Sequence, residues 1–176
     1  FRITDNYNPN PYDARKGSVL ILLYPFKNYV FLSFIRRAAN GGSHSGQMAL
    51  PGGKYDKEDG TLYNTALRET EEEIGIPPAD VTIIGELTQL YIPPSNFAVL
   101  PVVGYITYRP DFNINPSEVQ RIIEMDLADL CNPKNQLVED VIINDVLLEA
   151  PFYNANGHHI WGATAMIISE FLEVVK

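Results

Sequence analysis

LPGGKYDKEDGTLYNTALRETEEEIGI, residues 50–76, is the stretch on which the fold turns. Its second half contains RETEEE (68–73), which sets four glutamates within five positions behind an arginine; PGGK lies upstream and Gly75 just downstream. From about Thr61 to Ile74 the pattern is helical, and Gly75 fits a C-terminal cap, because helices commonly end on a left-handed glycine. At about 100° per residue, Tyr63, Leu67, Thr70 and Ile74 share one face and form a core stripe. Glu69, Glu72 and Glu73, related by i, i+3 and i+4, gather on another face, while Glu71 points elsewhere.

Such a cluster is unstable on its own. Like charges at i,i+4 cost roughly 0.2–0.5 kcal/mol per pair even when exposed. Glutamates in the last turns also oppose the helix dipole, by a further ~0.3–1 kcal/mol each. Arg68 offsets part of this by reaching Glu71 or Glu72. Two readings stay open on the run alone: a solvated acidic face, and a site for a hard divalent cation such as Mg²⁺, which prefers carboxylate oxygens. An EF-hand loop built on DKEDG (56–60) fails, since it would put Tyr55, Lys57 and Ala66 at ligand positions.

Outward from this helix, residues 1–16 read as an irregular arm. SVLILLYP (18–25) and YVFLSFIR (29–36) form a hairpin across a short FKN turn. AANGGSHSG (38–46) is loop-like, and IPPAD (76–80) is a turn because paired prolines cannot continue a helix. Strands are expected at 81–92 and 97–108, with Pro101 marking an edge or bulge in the second. Residues 115–130 read as a short strand and a helical turn, 141–153 as extended, and 161–175 as a closing amphipathic helix with Trp161 anchoring it. The order predicts a mixed sheet packed between helices, α/β or α+β.

The 176 residues, 45% hydrophobic and 20% charged, suit one domain spanning 1–176. A net charge of −9 argues against a general nucleic-acid binder, which needs a basic stripe. No apolar run of membrane-spanning length occurs. The chain opens on Phe1, as a trimmed chain would, and FRITDNYNPNPY lacks the layout of a secretion signal. Cys131 alone excludes an internal disulfide and any multi-cysteine metal site. A cytoplasmic location is expected, and homodimerisation stays open.

Residues 50–76 closely resemble the signature of the Nudix hydrolases, G-x5-E-x7-R-E-U-x-E-E-x-G-U. Arg68, Glu69, Glu72, Glu73, Gly75 and Ile76 match, and Thr70 stands in for the aliphatic position. Counting from Gly53, the upstream acid is Asp59, and eight residues rather than seven separate it from Arg68. The resemblance implies the Nudix fold and hydrolysis of a nucleoside diphosphate linked to another moiety, dependent on Mg²⁺ or Mn²⁺. It also implies that Glu69 and Glu73 are the firmest metal ligands, joined by Glu72 and the Gly53 carbonyl, with Arg68 orienting the glutamates. In this family a glutamate from a distant loop often serves as base or ligand, and Glu118 in NPSEV is the candidate.

Upstream, SFIRRAANGGSHSGQMALPGGK resembles the pattern of the coenzyme A diphosphatase branch. Arg37, His44, Gly46, Pro51, Gly52 and Gly53 match at its spacing, whereas Gly41–Gly42 replace a Leu-Arg pair and Leu50 a phenylalanine. The resemblance implies substrate-binding roles for Arg37, His44, Gly52 and Gly53, and coenzyme A or an acyl derivative as substrate. TALRETEEEIG (65–75), PPSNFAVLPVVGYI (93–106) and WGATA (161–165) extend the likeness over most of the chain. The alternatives are ADP-ribose, dinucleotides or nucleoside triphosphates as substrates, and a Nudix-fold binding module without activity.

From the residues themselves, Arg36 and Arg37 are phosphate contacts or surface solubility, and in a strand they point to opposite faces. His44 braces its loop or contacts phosphate. His158 and His159 are adjacent, point apart and read as structural. Tyr91 and Phe97 read as core packing, with a cleft lining as the alternative.

Overall fold

The computed structural model describes residues 13–39, 46–143 and 146–175. Most of the expected N-terminal arm, Gly41, Gly42 and His44 lie outside these residues. The arm ends sooner than expected, because β1 (Arg15–Phe26) begins inside it. β2 (Tyr29–Arg37) returns antiparallel to β1 through a two-residue turn. Lys27 and Asn28 both have positive φ, 50° and 66°, the geometry that matches the twist of a tight hairpin.

The hairpin does not stay zipped. β1 and β2 pair only over Leu23–Phe26 and Tyr29–Leu32, then diverge. Into the gap runs the segment leading to the acidic helix. Its β3 (Met48–Ala49) pairs with Ile35 and Arg36 of β2, and its β4 (Gly52–Lys54) pairs with Gly17–Val19 of β1. The remaining strands complete the sheet. β7 (Phe97–Tyr105) runs parallel to β1, β5 (Thr82–Glu86) and β6 (Leu90–Ile92) pair with β7, and β8 (Val119–Asp126) pairs with β2.

The strand expected at 81–92 is thus broken at Leu87–Gln89, and Pro101 explains the position of the break. Pro101 is not on an edge, since β7 has neighbours on both sides. Its carbonyl accepts from the Leu87 N–H at 2.9 Å, on the side where β5 and β6 part. A proline has no N–H to donate, so it costs no ladder bond at the one place where the ladder is already interrupted.

Helix α1 (Leu62–Ile74) lies on one face of the sheet, and α3 (Gly162–Val175) on the other. Leu20, Leu22, Tyr24 and Ile35 pack with Ala66 and Ile74 of α1. Ile21, Leu32 and Phe34 pack with Ile167, Ile168 and Phe171 of α3. Both faces of β1 are therefore buried, which is why it reads as a continuous apolar run rather than an alternating one. Each fully buried Leu or Ile contributes roughly 1.5–3 kcal/mol relative to exposure.

A second sheet of three strands extends beyond the segment expected from the sequence. The single extended segment expected at 141–153 is a hairpin of β9 (Gln136–Ile143) and β10 (Val146–Ala155), followed by β11 (His158–Ile160). Tyr153 and Ile160 join this sheet to the α3 side of the core. The 115–130 region is β8 followed by the short α2 (Leu127–Cys131), as expected in kind. No helix among the described residues is long and apolar enough to cross a membrane.

Candidate active site

The acidic helix is fixed at both ends. Thr61 caps its start, its hydroxyl accepting from the Asn64 N–H at 3.2 Å. At the other end Gly75 adopts φ 75°, and its N–H donates to the Glu71 carbonyl at 2.9 Å. The loop before β8 satisfies two further carbonyls: Asn113 N–H donates to Ile74 and Asn115 N–H to Glu73, both at 3.0 Å. That loop carries Glu118, so a glutamate 45 residues away in the chain is tied to the helix bearing Glu73. Burial is the first cause raising the carboxyl pKa of both Glu69 and Glu73, and the Glu118 charge adds to it in each.

The three helix glutamates form a gradient of depth. Side-chain exposure is 1% for Glu73, 14% for Glu69 and 52% for Glu72. Burial is the main cause pushing the Glu73 carboxyl up to about 7, against a hydrogen bond from the Gly52 N–H at 2.9 Å and the Arg37 charge. Burial also raises Glu69. Glu71 is exposed and outside the cluster. The core stripe expected on the other face is present, with Thr70 and Ile74 buried and Tyr63 and Leu67 half-buried.

Two glycines make this depth possible. A Cβ on Gly53 would sit 2.4 Å from the Glu69 carboxylate, so the bare backbone is what lets that carboxylate lie against β4. A Cβ on Gly52 would sit 2.3 Å from the Ser18 carbonyl oxygen, and Gly52 has φ 151°, which L side chains rarely adopt.

Of the two partners expected for it, Arg68 reaches Glu72 and not Glu71. Its Nη1 lies 2.9 Å from Glu69 and 3.0 Å from Glu72, and its Nη2 donates to the Lys54 carbonyl at 3.0 Å. Its other partner is Asp59, which receives Nε at 2.7 Å and Nη2 at 3.1 Å. Asp59 is buried and also accepts from the Thr65 hydroxyl at 2.8 Å and the Asp56 N–H at 2.9 Å. The Arg68 hydrogen bonds outweigh burial and hold the Asp59 carboxyl well below the usual carboxylate range. Asp59 lies in a 3-10 turn at Lys57–Asp59, closed by Gly60 at φ 71°. The legible signal was the capping pair Asp56 and Asp59, three residues apart.

Arg37 and Arg36 do point to opposite faces. Arg37 Nη1 stands 3.9 Å from Glu73, placing a cation beside the acidic cluster. The Ala38 N–H donates to the Glu118 carbonyl at 2.7 Å, which ties the end of β2 to the same loop. Gly46 N–H donates to the Arg37 carbonyl at 3.2 Å, so Gly46 sits beside the end of β2. Tyr91 and Phe97 are not core residues: Tyr91 donates to Asn96 at 2.9 Å, and Phe97 lies under the Arg15 guanidinium at 4.3 Å. Trp161 is half-buried just before α3.

Among the described residues no three carboxylate, imidazole or thiol groups converge at ligand distance, and the Arg68 guanidinium lies between Glu69 and Glu72. The donor set nevertheless fits a hard divalent cation. It is all carboxylate oxygen, and the desolvation of Glu73 and Glu69 is incompletely compensated by Arg37 and Arg68.

Comparison with known proteins bears on the family and the fold. A sequence model of the NUDIX domain matches residues 14–143. The uncharacterized Nudix hydrolase NudL of Photorhabdus laumondii is 36% identical over 164 residues, covering 93% of this chain and 87% of that protein. The NudL of Pectobacterium atrosepticum is 36% identical over 161 residues, covering 90% and 82%. Among solved structures, a binary complex of the Caenorhabditis elegans Ap4A hydrolase superposes with a TM-score of 0.55 at 17% identity, covering 65% of this chain and 82% of that one. The mixed sheet between α1 and α3 is the Nudix fold, and the chain belongs to the Nudix hydrolase family, whose members hydrolyse nucleoside diphosphate derivatives with divalent metal ions.

Proposed function

We propose that this Nudix hydrolase cleaves the diphosphate of coenzyme A or an acyl derivative, giving 3′,5′-ADP and a 4′-phosphopantetheine. The observation that carries the reading is Arg37. It occupies the arginine position of the coenzyme A diphosphatase pattern, and its guanidinium stands 3.9 Å from Glu73 at the end of β2. Gly46, Pro51, Gly52 and Gly53 match the same pattern, and His44 completes it in the sequence.

Glu69, Glu72 and Glu73 would hold Mg²⁺ or Mn²⁺, with the Gly53 carbonyl as a further oxygen donor. A cation bound there would neutralise the diphosphate, polarise a phosphoryl oxygen and acidify a bound water. Arg68 positions Glu69 and Glu72, and Asp59 holds Arg68. Arg37 contacts a phosphate of the substrate, a task suited to a fixed guanidinium fork. The Gly52 N–H keeps the Glu73 carboxylate facing the site. Glu118 accepts the proton of the attacking water, from a loop that its neighbours bind to the helix end.

Incubation with coenzyme A, ADP-ribose, NADH and deoxynucleoside triphosphates, each with Mg²⁺ and with Mn²⁺, tests this by product mass. Coenzyme A is expected to give 3′,5′-ADP and 4′-phosphopantetheine faster than the other compounds react. Turnover of coenzyme A no better than that of ADP-ribose would reject the assignment.

A further inference from the structure

On the face of the sheet away from α1, a second group of charges is unbalanced in the opposite sense. Arg36 and Arg121 are direct cross-strand partners in β2 and β8. Each follows the alternation of a strand whose apolar residues, Phe34 in one and Ile123 and Met125 in the other, enter the α3-side core. His158 of β11 lies within the field of both guanidinium groups. Its neighbour His159 turns away and packs edge-on against Phe152, with ring centroids 4.8 Å apart.

Like charges placed directly opposite on a sheet cost stability. A desolvated N–H without an acceptor costs more. Both conditions hold here. The Arg36 Nε is buried and has no hydrogen-bond partner, and no carboxylate among the described residues pairs with Arg36 or Arg121. Yet the chain carries 22 acidic residues against 13 Lys and Arg, so acids to pair with them are abundant. Arg109, by contrast, has found Glu124 at 2.8 Å.

We infer that Arg36, Arg121 and His158 form a binding site for a phosphate group, separate from the acidic cluster and on the opposite face of β2. Two guanidinium forks and an imidazole present N–H donors suited to the oxygens of a tetrahedral dianion. The phosphate is either free or a monoester on a larger molecule. The two arginines would then be held together by the anion rather than pushed apart. The assignment does not depend on the coenzyme A reading, because it is tested on phosphate itself.

The experiment follows the imidazole Cε1–H resonances of His158 and His159 by NMR while inorganic phosphate is added at constant ionic strength. The His158 resonance is expected to move saturably and to titrate at higher pH with phosphate bound, since a dianion favours the imidazolium. His159 is expected to stay still. Arg121→Ala removes one exposed fork from an edge strand and should weaken the response by about tenfold or more, the loss of charge-assisted hydrogen bonds. Arg36→Met should do the same. Repeating the titration with 3′,5′-ADP separates the sources. A tighter response to it than to phosphate assigns the site to a phosphomonoester carried by a nucleotide, and an equal or weaker one to free phosphate. No saturable movement of His158, equal movement with acetate, or an unchanged response in Arg121→Ala would each overturn the inference.

Discussion

Glu73 is the residue on which most of the physics converges. Its side chain is 1% exposed, and its carboxyl is pushed up to about 7 from an ordinary 4.5. Between those two values the native state holds a proton that the unfolded chain has lost. Stability without metal must therefore fall as pH rises through this window, by on the order of 3 kcal/mol in all. Glu73→Gln removes the buried charge, while its amide oxygen still accepts from Gly52. In urea unfolding without metal, the variant should gain on the wild type from pH 5 to about pH 7 and level off above it. A parallel pH profile for the two proteins would show that Glu73 is not desolvated. Asp59 works in the opposite direction and in a lower range: its depressed carboxyl loses its stabilisation only as pH falls below the ordinary 3.8. Breaking its pair exposes the difference between a structural and a surface ion pair. Arg68→Ala strands a buried carboxylate and should cost about 3 kcal/mol in denaturation. Arg68→Lys should recover only part of this, since an ammonium cannot reproduce the two-pronged contact with Asp59.

At the scale of elements, the site exists because the β1–β2 hairpin opens and β3 and β4 enter between its strands. β4 carries Gly52 and Gly53 against α1; a Cβ on Gly52 would meet the backbone of β1, and one on Gly53 the Glu69 carboxylate. Gly53→Ala should therefore displace the Glu69 carboxylate and lower kcat by about a hundredfold, the scale of a misplaced catalytic group. Circular dichroism should show the fold retained; wild-type kcat would mean that Glu69 is free to move without consequence. The sequence made α1 legible in full, because Thr61, the apolar stripe and Gly75 are local signals. The acidic face was equally legible, being a matter of helical spacing. The splitting of the 81–92 strand, the β9–β10 hairpin and the insertion of β4 were not, because strand pairing depends on partners far along the chain. The hold of Asp59 on Arg68 was not legible for a related reason: counting positions assumes a uniform backbone, and Asp59 sits in a 3-10 turn at Lys57–Asp59. The half-buried placement of Tyr91 and Phe97 was not legible either, since aromatic residues in a strand pattern give no sign of whether an outer layer covers them.

For the whole molecule, two faces of one sheet carry opposite charge imbalances, carboxylates beside α1 and guanidinium groups on the α3 side. The central claim concerns the first: the cluster of Glu69, Glu72 and Glu73 is stabilised by a divalent cation that binds the folded chain. Ligand binding to the native state alone raises stability, by about 2.7 kcal/mol at a hundred times Kd. Mg²⁺ should thus raise Tm, and more strongly above pH 7, where Glu73 has given up its proton. The most direct measurement is a titration of Mn²⁺ followed by electron paramagnetic resonance, which counts free ion, with the wild type, Glu73→Gln and Glu69→Gln compared at pH 8. The account predicts saturable binding in the wild type that weakens by at least about tenfold in each variant. Equal binding by all three proteins would contradict it.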